Sequence, residues 1–233
     1  MKIASIFSTT LIDYPGHVAA LIFTAGCNYR CPFCHNSELV LPEKIRALSL
    51  IPEADVFSVL KERQEFLDGV VITGGEPAIQ PDLARFVEQV RHLGFLVKLD
   101  TNGSRPDVLE PLLEAQLLDY VAMDLKGPPA RYDKLAGVRV DLDAIERSIR
   151  LIIEQAPDYE FRTTVAPTMT FQDIEATVAL VAGAKRYILQ QFVSPQEKDL
   201  VDPAWRGKVA LSEGELHTLW EAIKDNFSEG GVR

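Results

Sequence analysis

The chain has 233 residues, 47% hydrophobic and 25% charged, ordinary values for a globular protein with one full core. Its formal charge of −10 argues against a nucleic-acid partner, whose phosphates demand clustered Lys and Arg. No apolar run approaches the roughly 18 residues of a membrane helix. The N-terminal stretch after Lys2 is broken by Ser8, Thr9, Thr10 and Asp13, so it does not read as a signal peptide.

Strand-like and helix-like segments alternate along the chain. Short runs rich in β-branched and aromatic residues predict strands at 18–24, 69–73, 96–100, 120–124, 159–166 and 187–193. Helical periods fall between and after them at 53–67, 82–93, 106–115, 142–155, 171–182 and 213–227. Val56, Val59, Leu60, Phe66 and Leu67 lie mostly on one stripe of the first helix; Ile145, Ile149, Ile152 and Ile153 recur at helical spacing in the fourth. Start signals fit: Pro52, Pro81-Asp82, Pro106, Asp141 and Ser212. Six such units imply an α/β fold with a parallel sheet and right-handed crossovers, a partial (β/α)6 TIM-type barrel, with residues 1–233 forming a single domain. In barrels of this kind, chemistry sits on loops at the C-terminal ends of the strands.

The motifs obey that rule. After the first predicted strand the chain enters Cys27-Asn28-Tyr29-Arg30-Cys31-Pro32-Phe33-Cys34, which holds all three of its cysteines. Three thiolates without a fourth leave a metal centre with one open position, as catalytic sites require. Scattered core cysteines would not cluster this way, and zinc would need His35, which adjoins Cys34 and makes a cramped chelate. Reduced cysteines also point to a cytoplasmic location. The second strand ends in Gly74-Gly75-Glu76-Pro77, where glycines permit close backbone approach to a ligand or a strained turn, and Glu76 offers a carboxylate to an ammonium group. As a bare motif this is a turn with a solvated acid. The third and fourth strands end in Asp100-Thr101-Asn102-Gly103 and Met123-Asp124-Leu125-Lys126-Gly127. Neighbouring Asp100 and Asp124 would repel, so Lys126 or a bound monovalent cation is expected between them. Arg162, within an apolar strand, needs a carboxylate partner: that of a cofactor, or a core acid in a structural ion pair. Gln190 and Gln191 end the sixth strand with amides suited to adenine. None of the four histidines falls on a predicted strand tip.

The cysteine spacing, with Phe33 directly before Cys34, resembles the signature of radical S-adenosylmethionine enzymes, and the order of motifs resembles the activating enzymes of glycyl-radical proteins. The resemblance is nearest to the activating protein of anaerobic (class III) ribonucleoside-triphosphate reductase, and runs through Thr10 to Gly16, Cys27 to Asn36, Gly74 to Pro77, Asp100 to Gly103, Asp124 to Lys126 and Gln190 to Pro195. Asp13-Tyr14-Pro15-Gly16 parallels the Asp-Gly-Pro-Gly of pyruvate formate-lyase activating enzymes, with Tyr14 in place of a glycine. The resemblance implies a 4Fe–4S cluster on Cys27, Cys31 and Cys34. It implies S-adenosylmethionine held by Phe33, Gly74, Gly75, Glu76, Asp100, Asn102, Asp124, Lys126, Arg162 and Gln190. It further implies a glycyl-radical enzyme as protein substrate and a flavodoxin- or ferredoxin-type electron donor. Other readings are a small-molecule enzyme like 7-carboxy-7-deazaguanine synthase, an activase of the pyruvate formate-lyase type, and a zinc-stabilised interaction module.

Overall fold

A computed structural model describes residues 1–194 and 199–233. In chain order its elements are β1 (Ile3–Thr10), β2 (Ala19–Thr24), α1 (Ser37–Val40), α2 (Pro42–Ile45), α3 (Glu53–Glu62) and β3 (Gly69–Gly74). Next come α4 (Leu83–His92), β4 (Leu96–Thr101), α5 (Pro106–Glu114), β5 (Tyr120–Asp124), α6 (Tyr132–Ala136) and α7 (Leu142–Gln155). Last are β6 (Tyr159–Val165), α8 (Phe171–Val178), β7 (Arg186–Gln191), α9 (Glu213–Ile223) and β8 (Glu229–Val232). The strands form one sheet whose spatial order equals their order in sequence, with β1 and β8 at the edges. This is an α/β partial barrel: β2 to β8 run parallel, and β1 is antiparallel to β2.

The six predicted strands are β2 to β7. The sequence reading omits both edges of the sheet. β1 is interrupted by Ser5, Ser8 and Thr9 and is half exposed, and β8 carries two glycines, so neither has the apolar run of a buried parallel strand. The first predicted helix also runs too long. Helix α3 ends at Glu62, and Phe66, expected on its apolar stripe, lies beyond it and is 70% exposed. The chain turns there instead, with Gln64 donating to the Leu93 carbonyl, and only Leu67 returns to the core. The sixth predicted strand stops at Gln191, leaving Val193 exposed.

The helices pack on one face of the sheet. Val56 and Leu60 of α3, Phe86, Val87 and Val90 of α4, and Ile145, Ile149 and Ile152 of α7 join Ile22, Ile72, Leu99, Val121 and Phe161 in the main core. Each fully buried aliphatic side chain contributes roughly 1.5–3 kcal/mol. Helix α7 starts where Asp141 accepts from the amides of Asp143 and Ala144; α8 and α9 start with capping boxes, Thr170 with Asp173 and Ser212 with Glu215. The alternate residues of the strands face away from the helices. Ala19, Leu21 and Val71 form a small apolar cluster there with Tyr14, Tyr120 and Ala122. Lys98, Asp100, Asp124, Glu160 and Arg162 continue the same face as one ion-paired group.

Candidate functional site

Three segments hold the cysteine loop above the C-terminal strand ends. On one side, Asn28 donates to Ser104 Oγ (2.8 Å) and accepts from Asn102 Nδ2 (3.0 Å), tying the loop to the tip of β4. On another, the Arg30 amide donates to the Ala136 carbonyl at the end of α6 (2.8 Å). Gly137 caps that helix in the left-handed conformation (φ 69°) and packs so closely that a Cβ would lie 2.0 Å from the Arg30 carbonyl oxygen. From the third, the amides of Val201 and Asp202 donate to the carbonyls of Cys34 and Pro32 (both 3.1 Å), and the Phe33 ring lies 5.9 Å from that of Trp205. Pro195, the end of the last motif, falls outside the described residues.

The glycine turn after β3 is shaped by protein backbone. A Cβ on Gly74 (φ 116°) would sit 2.4 Å from the Thr24 nitrogen, and one on Gly75 would sit 2.0 Å from the Gly26 oxygen. These contacts draw the end of β3 against the entry to the cysteine loop, where the Glu76 amide donates to the Gly26 carbonyl (2.8 Å). Close approach to a ligand, the sequence-based reason for the pair, is therefore secondary. The Glu76 side chain is buried and turned sideways: one oxygen accepts from Thr101 Oγ1 (2.8 Å) and the Ala78 amide (3.0 Å), the other from the Asn102 amide (2.6 Å). Three donors occupy the carboxylate that the sequence reading offered to an ammonium group. Glu76 is thus a clamp between the tips of β3 and β4. Burial raises its pKa from the usual 4.5 to about 7, against the opposing pull of those donors.

The pairing of Asp100 with Asp124 is resolved by side chains. Arg162 reaches both, at 3.3 Å and 2.8 Å, while Lys98 pairs with Asp100 and Lys126 lies 3.6 Å from Asp124. Burial alone would raise the pKa of Asp124, but Arg162 and Lys126 together hold it near 2; Arg162 and Lys98 likewise keep Asp100 low. Sequence reasoning missed Lys98, because a lysine two residues before a strand tip reads as solvent-facing. Here it is 1% exposed. With three cations serving two carboxylates, the charge balance that called for a monovalent ion is already met. Arg162 and Gln190 do not line the cavity: Arg162 lies beneath as a counter-ion, braced by Glu160 (3.6 Å), and Gln190 accepts weakly from Thr164 Oγ1 (3.5 Å). Of the two sequence readings of Arg162, the geometry takes the structural ion pair.

One cavity of about 240 Å³ joins the remaining candidates: Cys27, Cys31, Phe33, Cys34, Gly74, Gly75, Glu76, Asp100, Asn102, Asp124 and Lys126 all line it. Tyr29, His35, Asn36, Thr73, Thr101 and Thr164 line it too. His35 thus reaches the site from the loop, a position the search of strand tips could not find. Burial pushes the Cys27 thiol up to about 12 and Cys31 to about 11, and raises Cys34. Among the described residues, no trio of His, Cys, Asp or Glu converges on the place of a single metal ion. Three soft donors around a desolvated space do fit a larger cationic iron–sulfur group, which would offset the cost of their ionisation. The Tyr29 amide already points at Cys27 Sγ (3.3 Å), as hydrogen bonds to cluster sulfurs do.

Comparison with known proteins agrees with this arrangement. Residues 21–181 match the Radical SAM superfamily. A protein of Methanocaldococcus jannaschii assigned by name as a glycyl-radical enzyme activating enzyme is 34% identical, over 99% of this chain and 95% of its own. The 7-carboxy-7-deazaguanine synthase of Methanopyrus kandleri is 35% identical over 89% of this chain and 80% of its own. Streptococcus suis SuiB, solved bound to its precursor peptide, superposes with a TM-score of 0.70 over 91% of this chain at 15% identity, a likeness of fold alone. This chain spans about half (48%) of that protein. The chain therefore belongs to the radical SAM superfamily, whose members use a 4Fe–4S cluster and S-adenosylmethionine. It is an enzyme of that superfamily, and its relatives include glycyl-radical activating enzymes.

Proposed function

We propose that this chain activates a glycyl-radical enzyme, with anaerobic ribonucleoside-triphosphate reductase as its partner, in the cytoplasm and as one radical S-adenosylmethionine domain. The observation that carries the activase reading is the similarity to a protein named as a glycyl-radical enzyme activating enzyme, over 99% of this chain and 95% of the other. When bound, the cluster and S-adenosylmethionine supply an electron and a 5′-deoxyadenosyl radical able to take hydrogen from a glycine α-carbon.

The chain's own residues bind, orient and shield. Cys27, Cys31 and Cys34 would hold the cluster from one loop fixed on three sides. Lys126, the cation of the cavity wall, suits the carboxylate of the methionine moiety; burial would lower its pKa, but Asp124 and the nearby thiols keep it protonated. Glu76 acts through Asn102, setting the wall against which the cofactor lies and leaving backbone at Gly74 and Gly75 for the amino group. Phe33, backed by Trp205, excludes water beside the thiols. The sheet does not pair β8 back onto β1, which leaves an open side suited to a loop of a protein substrate. A flavodoxin- or ferredoxin-type donor would supply the electron.

The second reading, a small-molecule enzyme of the 7-carboxy-7-deazaguanine synthase kind, has the similarity to the Methanopyrus kandleri enzyme in its favour. One experiment separates the two. The anaerobically reconstituted protein is mixed with the reductase carrying glycine deuterated at the α-carbon. Deuterium in 5′-deoxyadenosine and a glycyl radical seen by electron paramagnetic resonance are expected. Cleavage of S-adenosylmethionine without label transfer, together with turnover of a deazaguanine precursor, would overturn the activase reading.

A further inference from the structure

Arg30 lies inside the cysteine loop, and no motif reading assigns it a task. Its guanidinium turns back under the loop and donates to the carbonyls of Cys27 and Tyr29, both at 2.7 Å. It is only partly exposed, and among the described residues it forms no ion pair with an acidic side chain, unlike Lys98, Lys126 and Arg162 at the same site. Its backbone is fixed independently by the bond to Ala136 and the close contact with Gly137. A cation not neutralised by an acid is thereby held against the segment that carries the three thiols.

We propose that Arg30 is a positioning residue that raises the reduction potential of the cluster bound by Cys27, Cys31 and Cys34, and so eases uptake of the electron that the reaction consumes. The inference rests on the function proposed above. Cluster potentials follow net charge, hydrogen bonding and solvent exposure. Three thiolates on the cationic core leave the bound cluster with a small net negative charge, and one more electron adds to that charge. A fixed positive charge 2.7 Å from the carbonyl of Cys27, in a partly buried place, favours the reduced form by Coulomb attraction. The step is a one-electron reduction: the cluster gains the electron, an external low-potential one-electron donor loses it, and no bond or proton is exchanged.

The test uses the full chain reconstituted anaerobically, as wild type and as Arg30→Lys, Arg30→Gln and Arg30→Met. Iron and sulfide per chain are measured first. The cluster is then titrated with titanium(III) citrate in the absence of S-adenosylmethionine, with the reduced signal followed by electron paramagnetic resonance. Full iron content in all variants is expected, with the midpoint displaced to more negative potential in Gln and Met and least displaced in Lys. A wild-type midpoint in a Gln or Met variant with full iron overturns the proposal. So does loss of iron from both, because Arg30 would then serve only to hold the loop. A wild-type protein that binds no cluster or cleaves no S-adenosylmethionine defeats the function proposed above; a loaded, active wild type with unmoved variants defeats only the role of Arg30.

Discussion

The two ends of the sheet's helix-free face are built by the same strands, and both are rich in charge and aromatic rings. At the N-terminal ends, Tyr14 fills the floor against Tyr120 (ring centroids 5.9 Å apart) and His17 (4.7 Å). Arg186 donates there to the Tyr120 hydroxyl (2.9 Å), to Asp158 (3.1 Å) and to Glu229 (2.8 Å). Each of these hydrogen-bonding groups has its partner within the floor. At the C-terminal ends, thiols, Lys126 and amides face a cavity; burial raises the thiol pKa values, while Asp124 keeps Lys126 protonated against it. Lys98 stands between, its amine 5.6 Å above the Tyr120 ring and paired with Asp100 at the rim. The lesson is that charge alone does not mark a site on this face; what marks it is charge left facing open space.

The sharpest break between the two ends is expected from the thiols. Cys27→Ala, Cys31→Ala and Cys34→Ala should each reduce cleavage of S-adenosylmethionine to background while thermal unfolding of the apoprotein changes little, since no other cysteine can substitute. Iron analysis and product chromatography check this, and a variant that keeps a full cluster would break the comparison at the rim.

The floor should behave in the opposite way. Tyr14→Ala removes a ring that is 3% exposed, at a cost of about 3 kcal/mol. A fall in Tm of roughly 6–12 °C is expected for a chain of this size. Cofactor affinity well below the transition should hold within about twofold. Calorimetry and equilibrium titration read the two quantities separately.

Glu76 sharpens the comparison because it serves both stability and site. Its pKa in the fold, about 7, lies above the usual 4.5. Between these values the native state holds a proton that the unfolded chain releases, so its contribution to stability is complete below about pH 4.5 and declines as pH rises towards 7. The difference in Tm between wild type and Glu76→Gln should vary across that window and level off above it. A difference constant with pH would show that the carboxylate does not titrate there. The smallest effect is expected from Asn28→Ala, which loses two side-chain bonds to the β4 tip. A loop weakened by about 1 kcal/mol should lose iron to a chelator a few times faster, with Tm nearly unchanged.

Much of the rim was legible in the sequence because its residues come directly after buried strands. Val70-Val71-Ile72 and Val121-Ala122-Met123 announce where β3 and β5 run, and the residues next in the chain must lie at the tips. The edges were not legible, since β1 and β8 meet solvent and need no apolar run. The partners of side chains were also hidden. Glu76 reads as a ligand until Thr101 and Asn102, some 25 residues on, are seen to take its oxygens. Arg162 reads as a cofactor contact until Asp100 and Asp124 are seen on either side of it. Asp13-Tyr14-Pro15-Gly16 served the sequence reading as a mark of kinship, whereas its tyrosine is part of the floor.

The sheet's spatial order, identical to its order in sequence, bears on how the molecule assembles. Each strand pairs with one already made, so the barrel can grow unit by unit as the chain leaves the ribosome, with short loop closures at each step. The bonds from Val201 and Asp202 back to Cys34 and Pro32 span nearly 170 residues and come late in that order. Until they form, the thiol loop stays uncovered on that side while its other two supports, at Asn102 and Ala136, are already in place. The nascent chain thus passes through a stage in which the ligands are arranged but still accessible, and iron–sulfur delivery would meet the least obstruction there.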